Sequence, residues 1–190
     1  MNRKSFLKTV PIVGATGGLA LAGCSTGTGT EEESISGDLA ILTQAAEREA
    51  IVIQTYKVAE GIIETQEVLN TAAYYRSHHE EHLDLFNELI AGFNGIPVLI
   101  DDVSVDSRIN QATDEESALR LAMTLELEAA QAYFQDTVTN LVSNNAKILM
   151  GDIYPVELSH FVTLNAVLDA SPAISGATLS EINSEFNGIN

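Results

Sequence analysis

What most constrains this chain is where its helical apolar period is interrupted. Four segments repeat apolar residues at spacings of three and four, the period of helices that bury one face. In the first, the buried positions read Leu39, Leu42, Ala46, Glu49, Ile53 and Tyr56; in the third they read Leu119, Ala122, Glu126, Ala130 and Tyr133. The fourth gives Leu149, Ile153, Glu157, His160, Leu164 and Val167, and the second gives Leu69, Ala72, Arg76, His79, His82, Phe86 and Leu89. Every stripe carries ionisable groups near its middle. An uncompensated charge there costs several kcal/mol, so four helices agreeing in this way ask for a common partner. A pair of divalent metal ions is the natural one, because carboxylates and imidazoles from facing helices neutralise the ions and one another.

Punctuation between the stripes sets the architecture. The first helical segment is expected over about 38–60, with Asp38 as its N-cap and an end near Gly61. The second runs over about 64–93 and stops at Asn94-Gly95-Ile96-Pro97. A connection of about 20 residues follows, too rich in turn formers and β-branched residues to continue a helix. The third segment opens at Thr113 or Asp114 and reaches about Leu141; after Ser143-Asn144-Asn145 a fourth runs to about Leu168, with a kink or break expected near Tyr154 because Pro155 lies inside it. Short joins make the first two helices, and the last two, antiparallel neighbours. The long middle connection is what a four-helix bundle needs to return along its own length. The fold class is therefore all-α: two helical hairpins joined by one long crossover, over residues 38–172. The tail, 173–190, has the composition for a short helix around Leu179 to Phe186.

An internal repeat runs through the two hairpins. Glu49 is followed by Gln54 and Tyr56, and Glu126 by Gln131 and Tyr133, at the same offsets of 5 and 7. Glu49 to His82 spans 33 residues, and Glu126 to His160 spans 34. Each hairpin thus offers a glutamate on its first helix and a paired motif on its second, the pseudo-symmetry of a two-metal site between hairpins.

The order Glu49, a paired motif ending in His82, Glu126, and Glu157-Leu-Ser-His160 resembles the ferritin-like superfamily, including its exported bacterial members, over about residues 38–170. In that family each half supplies a Glu and a Glu-x-x-His to a di-iron or di-manganese centre in the bundle core. The resemblance implies Glu49 and Glu126 as single-helix carboxylates, Glu157 and His160 as an intact pair, and His82 as the histidine of the first half. Two iron ions are the implied cofactor, with manganese the alternative. The departure lies at 79, where the family has Glu and this chain has His79. With His79 as ligand the donor set holds three carboxylates and three imidazoles rather than four and two, leaving two divalent ions with a net charge of +1. That shift favours lower oxidation states or a bridging anion, and is equally compatible with one site being weak or lost.

Neighbouring residues leave alternatives open. His78 could replace His79 after a small rotation of the helix, whereas Glu80 and Glu81 point away and read as solvated acids. Arg76 reads as a snorkelling surface residue. Tyr56 and Tyr133 read as core aromatics rather than redox groups, although a tyrosine two turns from a metal carboxylate can hydrogen-bond such a site, and Gln54 and Gln131 read as interhelical contacts or surface. Glu128, on an adjoining stripe, is a candidate further carboxylate.

The N-terminus is a separate matter. Arg3, Lys4 and Lys8 precede a small, apolar, Gly-rich run from Thr9 to Ala22 that is too short to span a bilayer. It reads as a cleaved signal peptide, residues 1–23. Leu21-Ala22-Gly23-Cys24 resembles a bacterial lipobox, with Cys24 as the lipidated residue; NRKSFLK resembles a twin-arginine export signature except for Lys4. As the only cysteine, Cys24 allows no disulfide within the chain. Residues 24–37 read as a flexible linker, and the expected location is the extracytoplasmic face of the cell envelope, membrane-held through the lipid. Removing residues 1–23 takes away three cations and no acid, moving the net charge from −18 to −21. Such a chain draws cations and is unsuited to nucleic acid, whose phosphates need Lys and Arg.

No Gly-rich phosphate loop, Cys-x-x-Cys or spaced Ser-His-Asp set points to other chemistry. Two functions stay in view. One is an exported di-metal oxidoreductase acting on Fe²⁺ or peroxide. The other is a metal-free or degraded-site bundle with structural, stress-protective or partner-binding work. The oligomeric state is open, although a lipid-tethered chain is an awkward subunit for a closed storage shell.

Overall fold

The computed structural model describes residues 31–169. The expected signal peptide, Cys24 and the C-terminal tail lie outside the described residues. Four helices make up the fold: α1 (Glu31–Ala59), α2 (Gln66–Gly92), α3 (Glu115–Gln135) and α4 (Asn144–Asp169). Among the described residues there is no strand, and no helix is long and apolar enough to cross a membrane.

Most helix ends follow the local chemistry. The Asp114 side chain accepts from the N–H of Ser117 while the Ser117 hydroxyl answers the Asp114 backbone, a capping box that starts α3 where it is expected. At the end of α2, Asn94 takes the left-handed conformation (φ 60°). The N–H of Gly95 bonds to Ile90 O at 2.9 Å and that of Asn94 to Ala91 O at 3.0 Å, a Schellman closure. Gly95 is required for space: a Cβ there would lie 2.4 Å from Leu39 Cδ1 and 2.8 Å from Ile90 Cγ2. α3 ends in a wide π turn, Asp136–Asn140, closed by Leu141 N to Asp136 O at 2.9 Å. The Thr137 and Thr139 hydroxyls bond back to Tyr133 O and Gln135 O, the kind of contact that loosens a helix.

Three expectations need correction. α1 begins at Glu31, seven residues before Asp38, so part of the expected linker is helical and Asp38 is not an N-cap. Its buried carboxylate instead accepts from Val142 N (2.9 Å) and Ser143 N (2.6 Å), where the chain enters α4. Pro155 does not break α4; it lies on the exposed face, as does Gly151, whose carbonyl loses a donor there and stays open to water.

The contacts fix the direction of each helix. The Glu115 carboxylate accepts from Glu64 N and Thr65 N, so the α1–α2 turn meets the start of α3. Asp38 and Leu39 meet the opposite end. α1 therefore runs antiparallel to α2 and α3, and α2 runs parallel to α3 through the long crossover. The crossover carries two 3₁₀ turns, Ile100–Asp102 and Ser107–Gln111. It is fastened to α1 by Gln54 Nε2, which donates to Ile100 O and Val103 O, and by Thr55 Oγ1, which accepts from Asp106 N.

The core divides in two. One apolar cluster, around Leu42, Phe86, Ile90 and Met150, fills the end near Asp38, and another, around Val52, Leu121, Phe161 and Leu168, fills the other end. Between them lies a polar layer.

Candidate metal centre

Glu49, His79, His82, Glu126, Glu157 and His160 form that layer, and none is more than 6% exposed. α1 and α3 contribute one residue each, α2 and α4 two each. His79 stands at the centre: its Nδ1 is 2.7 Å from Glu49 Oε2 and its Nε2 is 3.2 Å from Glu126 Oε1. His160 Nδ1 lies 3.1 Å from Glu126 Oε2. His82 Nδ1 approaches Glu157 Oε1 to 2.7 Å, but out of hydrogen-bond alignment. Those two atoms and Glu157 Oε2 are buried with no hydrogen-bond partner.

The internal repeat has a physical counterpart. The Tyr133 hydroxyl of α3 donates to Glu49 Oε1 on α1, and the Tyr56 hydroxyl of α1 donates to Glu126 Oε1 on α3. The matching offset of seven is a reciprocal exchange: each hairpin's tyrosine aims the other hairpin's carboxylate. Both phenols are held well above their ordinary pKa, first by burial and then by the carboxylate each one faces, so they remain protonated donors.

Charge within the layer is shared out unevenly. Burial alone would raise Glu49, but the charge and hydrogen bond of His79, with help from His82, hold it at about 2. Glu126 is likewise held well below the carboxylate range, against its burial, by His79 and His160. Burial would discharge His79, yet Glu157, Glu126 and Glu49 together push its pKa well up. His82 rises to about 9 against burial, through Glu157 and Glu49. Glu157 goes the other way: burial and the Glu49 charge carry it to about 8, although His79 pulls it down. Without a metal, the carboxylates and imidazoles of the layer thus hold one another's charges in place.

Donor atoms fall into two overlapping quartets: Glu49, His79, His82 and Glu157, and His79, Glu126, Glu157 and His160. In each, one atom per residue lies within 4.8 Å of the others. Three carboxylates and three imidazoles suit first-row divalent ions. Orphaned Glu157 and His82 atoms, costly to bury without a partner, fit such ions as well.

Other expected contributors lie elsewhere. His78 is not in the layer; its Nδ1 is 2.8 Å from His160 Nε2 and its ring stacks on that of His160, so it orients that ring from outside the layer. Burial and His160 lower the pKa of His78. Glu128 is exposed and forms a bidentate pair with Arg108, both contacts 2.8 Å, which removes it as a further ligand. Arg76 is half-buried between Glu60 (2.7 Å) and Glu80 (2.6 Å). Glu81 is exposed.

Helical periodicity did not single out Tyr75, which stacks on His160 with ring centroids 3.9 Å apart. Nor did it point to the apolar cleft of about 180 Å³ beside it, floored by Tyr56, Ala72, Tyr75 and Ala122. A cleft gathers residues from several helices, so no single helical period could have revealed it.

This geometry defines a four-helix bundle with a buried carboxylate–imidazole centre shared by two hairpins. The profile of the ferritin-like domain family matches residues 37–170, and the chain belongs to that family. Among solved structures it is similar to a conserved hypothetical protein, rv2844, from Mycobacterium tuberculosis: 17% identity, TM-score 0.62, covering 70% of this chain and 98% of that one. It is also similar to a dodecameric thioferritin, a bacterioferritin-related protein from Bacteroides fragilis: 16% identity, TM-score 0.51, covering 80% of this chain and 91% of that one. At such identities the likeness is one of fold. No curated protein matches significantly.

Proposed function

We propose that this chain is an exported, lipid-anchored di-metal protein of the cell envelope. It holds two divalent ions, iron before manganese, and serves the oxidation of Fe²⁺ by oxygen or peroxide, or the disposal of peroxide. The observation that carries this reading is the buried six-residue layer with Glu157 and His82 atoms lacking partners. Glu49, Glu126 and Glu157 would be the carboxylate ligands, and His79, His82 and His160 the nitrogen ligands. Once bound, the ions would supply one-electron redox steps and Lewis acidity.

The polypeptide's share is positioning. Tyr56 and Tyr133 fix the carboxylates, and His78 fixes His160. Two apolar clusters keep water from both sides of the layer. The apolar cleft is lined by Tyr56 and Tyr75, which contact Glu126 and His160 from its side of the layer. An acidic exterior draws cations toward the protein.

Metal analysis of the purified full chain tests the reading. Two equivalents of iron or manganese are expected, and they are lost in Glu126→Ala and in His160→Ala. A folded protein that takes up no metal, with stability unchanged by added Fe²⁺, refutes it. The self-balancing charges of the layer favour a second reading, a metal-free bundle with a structural, stress-protective or partner-binding role. That negative result is the one this reading expects.

A further inference from the structure

Resting on the two-ion reading, we propose that His79 is a bridging ligand: as an imidazolate it offers Nδ1 to one ion and Nε2 to the other, as Glu157 does with its two oxygens. Position in the repeat is the first argument. His79 stands three residues before His82, and Glu157 three before His160, so the two are symmetry mates of the hairpins. Both belong to each quartet of donors, which no other residue does.

The second argument is how their atoms divide. His79 Nδ1 lies 2.7 Å from Glu49 Oε2 and 3.8 Å from Glu157 Oε1, which is itself 2.7 Å from His82 Nδ1. These four atoms make one position. On the other side, His79 Nε2 is 3.2 Å from Glu126 Oε1, and His160 Nδ1 is 3.1 Å from Glu126 Oε2 and 3.9 Å from Glu157 Oε2. The lone pairs of an imidazole diverge, so one ring cannot turn both nitrogens to the same ion; two nitrogens facing two quartets serve two positions.

Charge supplies the third argument. Three carboxylates and a neutral His79 leave two divalent ions with an excess of one positive charge in a site sealed from water, where such an excess is costly. An imidazolate carries the missing negative charge, and the buried set becomes neutral. The neutral ring gives up its one N–H proton to solvent as the two ions take its two nitrogens; no oxidation or reduction is involved. The histidine at 79 then does the work of a bridging carboxylate, and its ring width keeps the ions further apart than a single shared oxygen would.

The test loads the full chain with Cu²⁺ alone and reads metal content, electron paramagnetic resonance and X-ray absorption, with folding checked by circular dichroism. Expected are two ions per chain whose signals are exchange-coupled, and no metal–metal vector at the ~3.5–4 Å usual for two-metal sites. In His79→Gln, whose amide cannot join two positions, the coupling is lost and the content falls toward one. His79→Glu restores two ions with altered coupling. The proposal is overturned by coupling unchanged in His79→Gln, by a short metal–metal vector, or by a single ion in the unaltered chain. If the unaltered chain binds no metal, the two-ion reading itself fails, and the bridge with it.

Discussion

Raising the pH should weaken the metal-free bundle, and the proton on His82 sets the size of the effect. Its pKa moves from the ordinary 6.5 to about 9 because Glu157 and Glu49 outweigh burial. Between those values the unfolded chain has released the proton while the folded chain keeps it, so stability falls as pH rises. The contribution is complete below pH 6.5 and gone above about 9. At about 1.4 kcal/mol per tenfold change, the whole interval is worth ~3 kcal/mol. Glu157, raised from 4.5 to about 8, acts in the same direction over its own range, but it faces His82, so the two are counted once. Glu49, lowered from 4.5 to about 2, acts oppositely; its contribution holds above 4.5 and is lost as pH drops toward 2. Urea unfolding of chelator-treated protein from pH 6 to 9, followed by circular dichroism, measures this. A midpoint that stays flat, or one that falls just as far in His82→Gln, refutes the reasoning. Adding metal should oppose the loss at high pH, because ions replace these same protons.

Three further outcomes follow from individual contacts. Asp38→Ala removes the acceptor of two backbone N–H groups at the entry to α4 and should cost ~3 kcal/mol of unfolding free energy, the low end for two hydrogen bonds to a charged group at about 1.5–3 kcal/mol each, because Val142 is exposed and water replaces part of the loss; an unchanged urea midpoint would contradict it. Gly95→Val drives a side chain into Leu39 and Ile90 and should lower stability by about 1–3 kcal/mol, the usual cost of overpacking, read as a fall in melting temperature. Cys24→Ala should move the protein from the membrane fraction to the soluble one on cell fractionation; no redistribution would refute the lipid anchor.

The helical stripes were readable because burial on a helix obeys a strict period. Glu49, His79, His82, Glu126, Glu157 and His160 stood out as breaks in that period, and all six are buried in one layer. Boundaries were readable where a side chain caps its own helix, as at Asp114. They were misread where the partner is distant: Asp38 looks like a cap in sequence, but it serves a backbone more than a hundred residues away. Glu128 fitted a helical stripe and was drawn outward by Arg108 on the crossover, a pairing without any period. Tyr75, the cleft and the attachment of the crossover through Gln54 also depend on how elements meet.

The exchanged tyrosines have a consequence for how the molecule can be divided. Neither hairpin is a complete half. The first owns Glu49, His79 and His82 but relies on Tyr133 from the second; the second owns Glu126, Glu157 and His160 but relies on Tyr56 from the first. A chain severed within the crossover would yield two pieces, each with a row of buried ionisable groups and no means of settling them alone. Such pieces should be unstructured apart and assemble on mixing, so the two halves of the repeat are obligate complements within one cooperative unit.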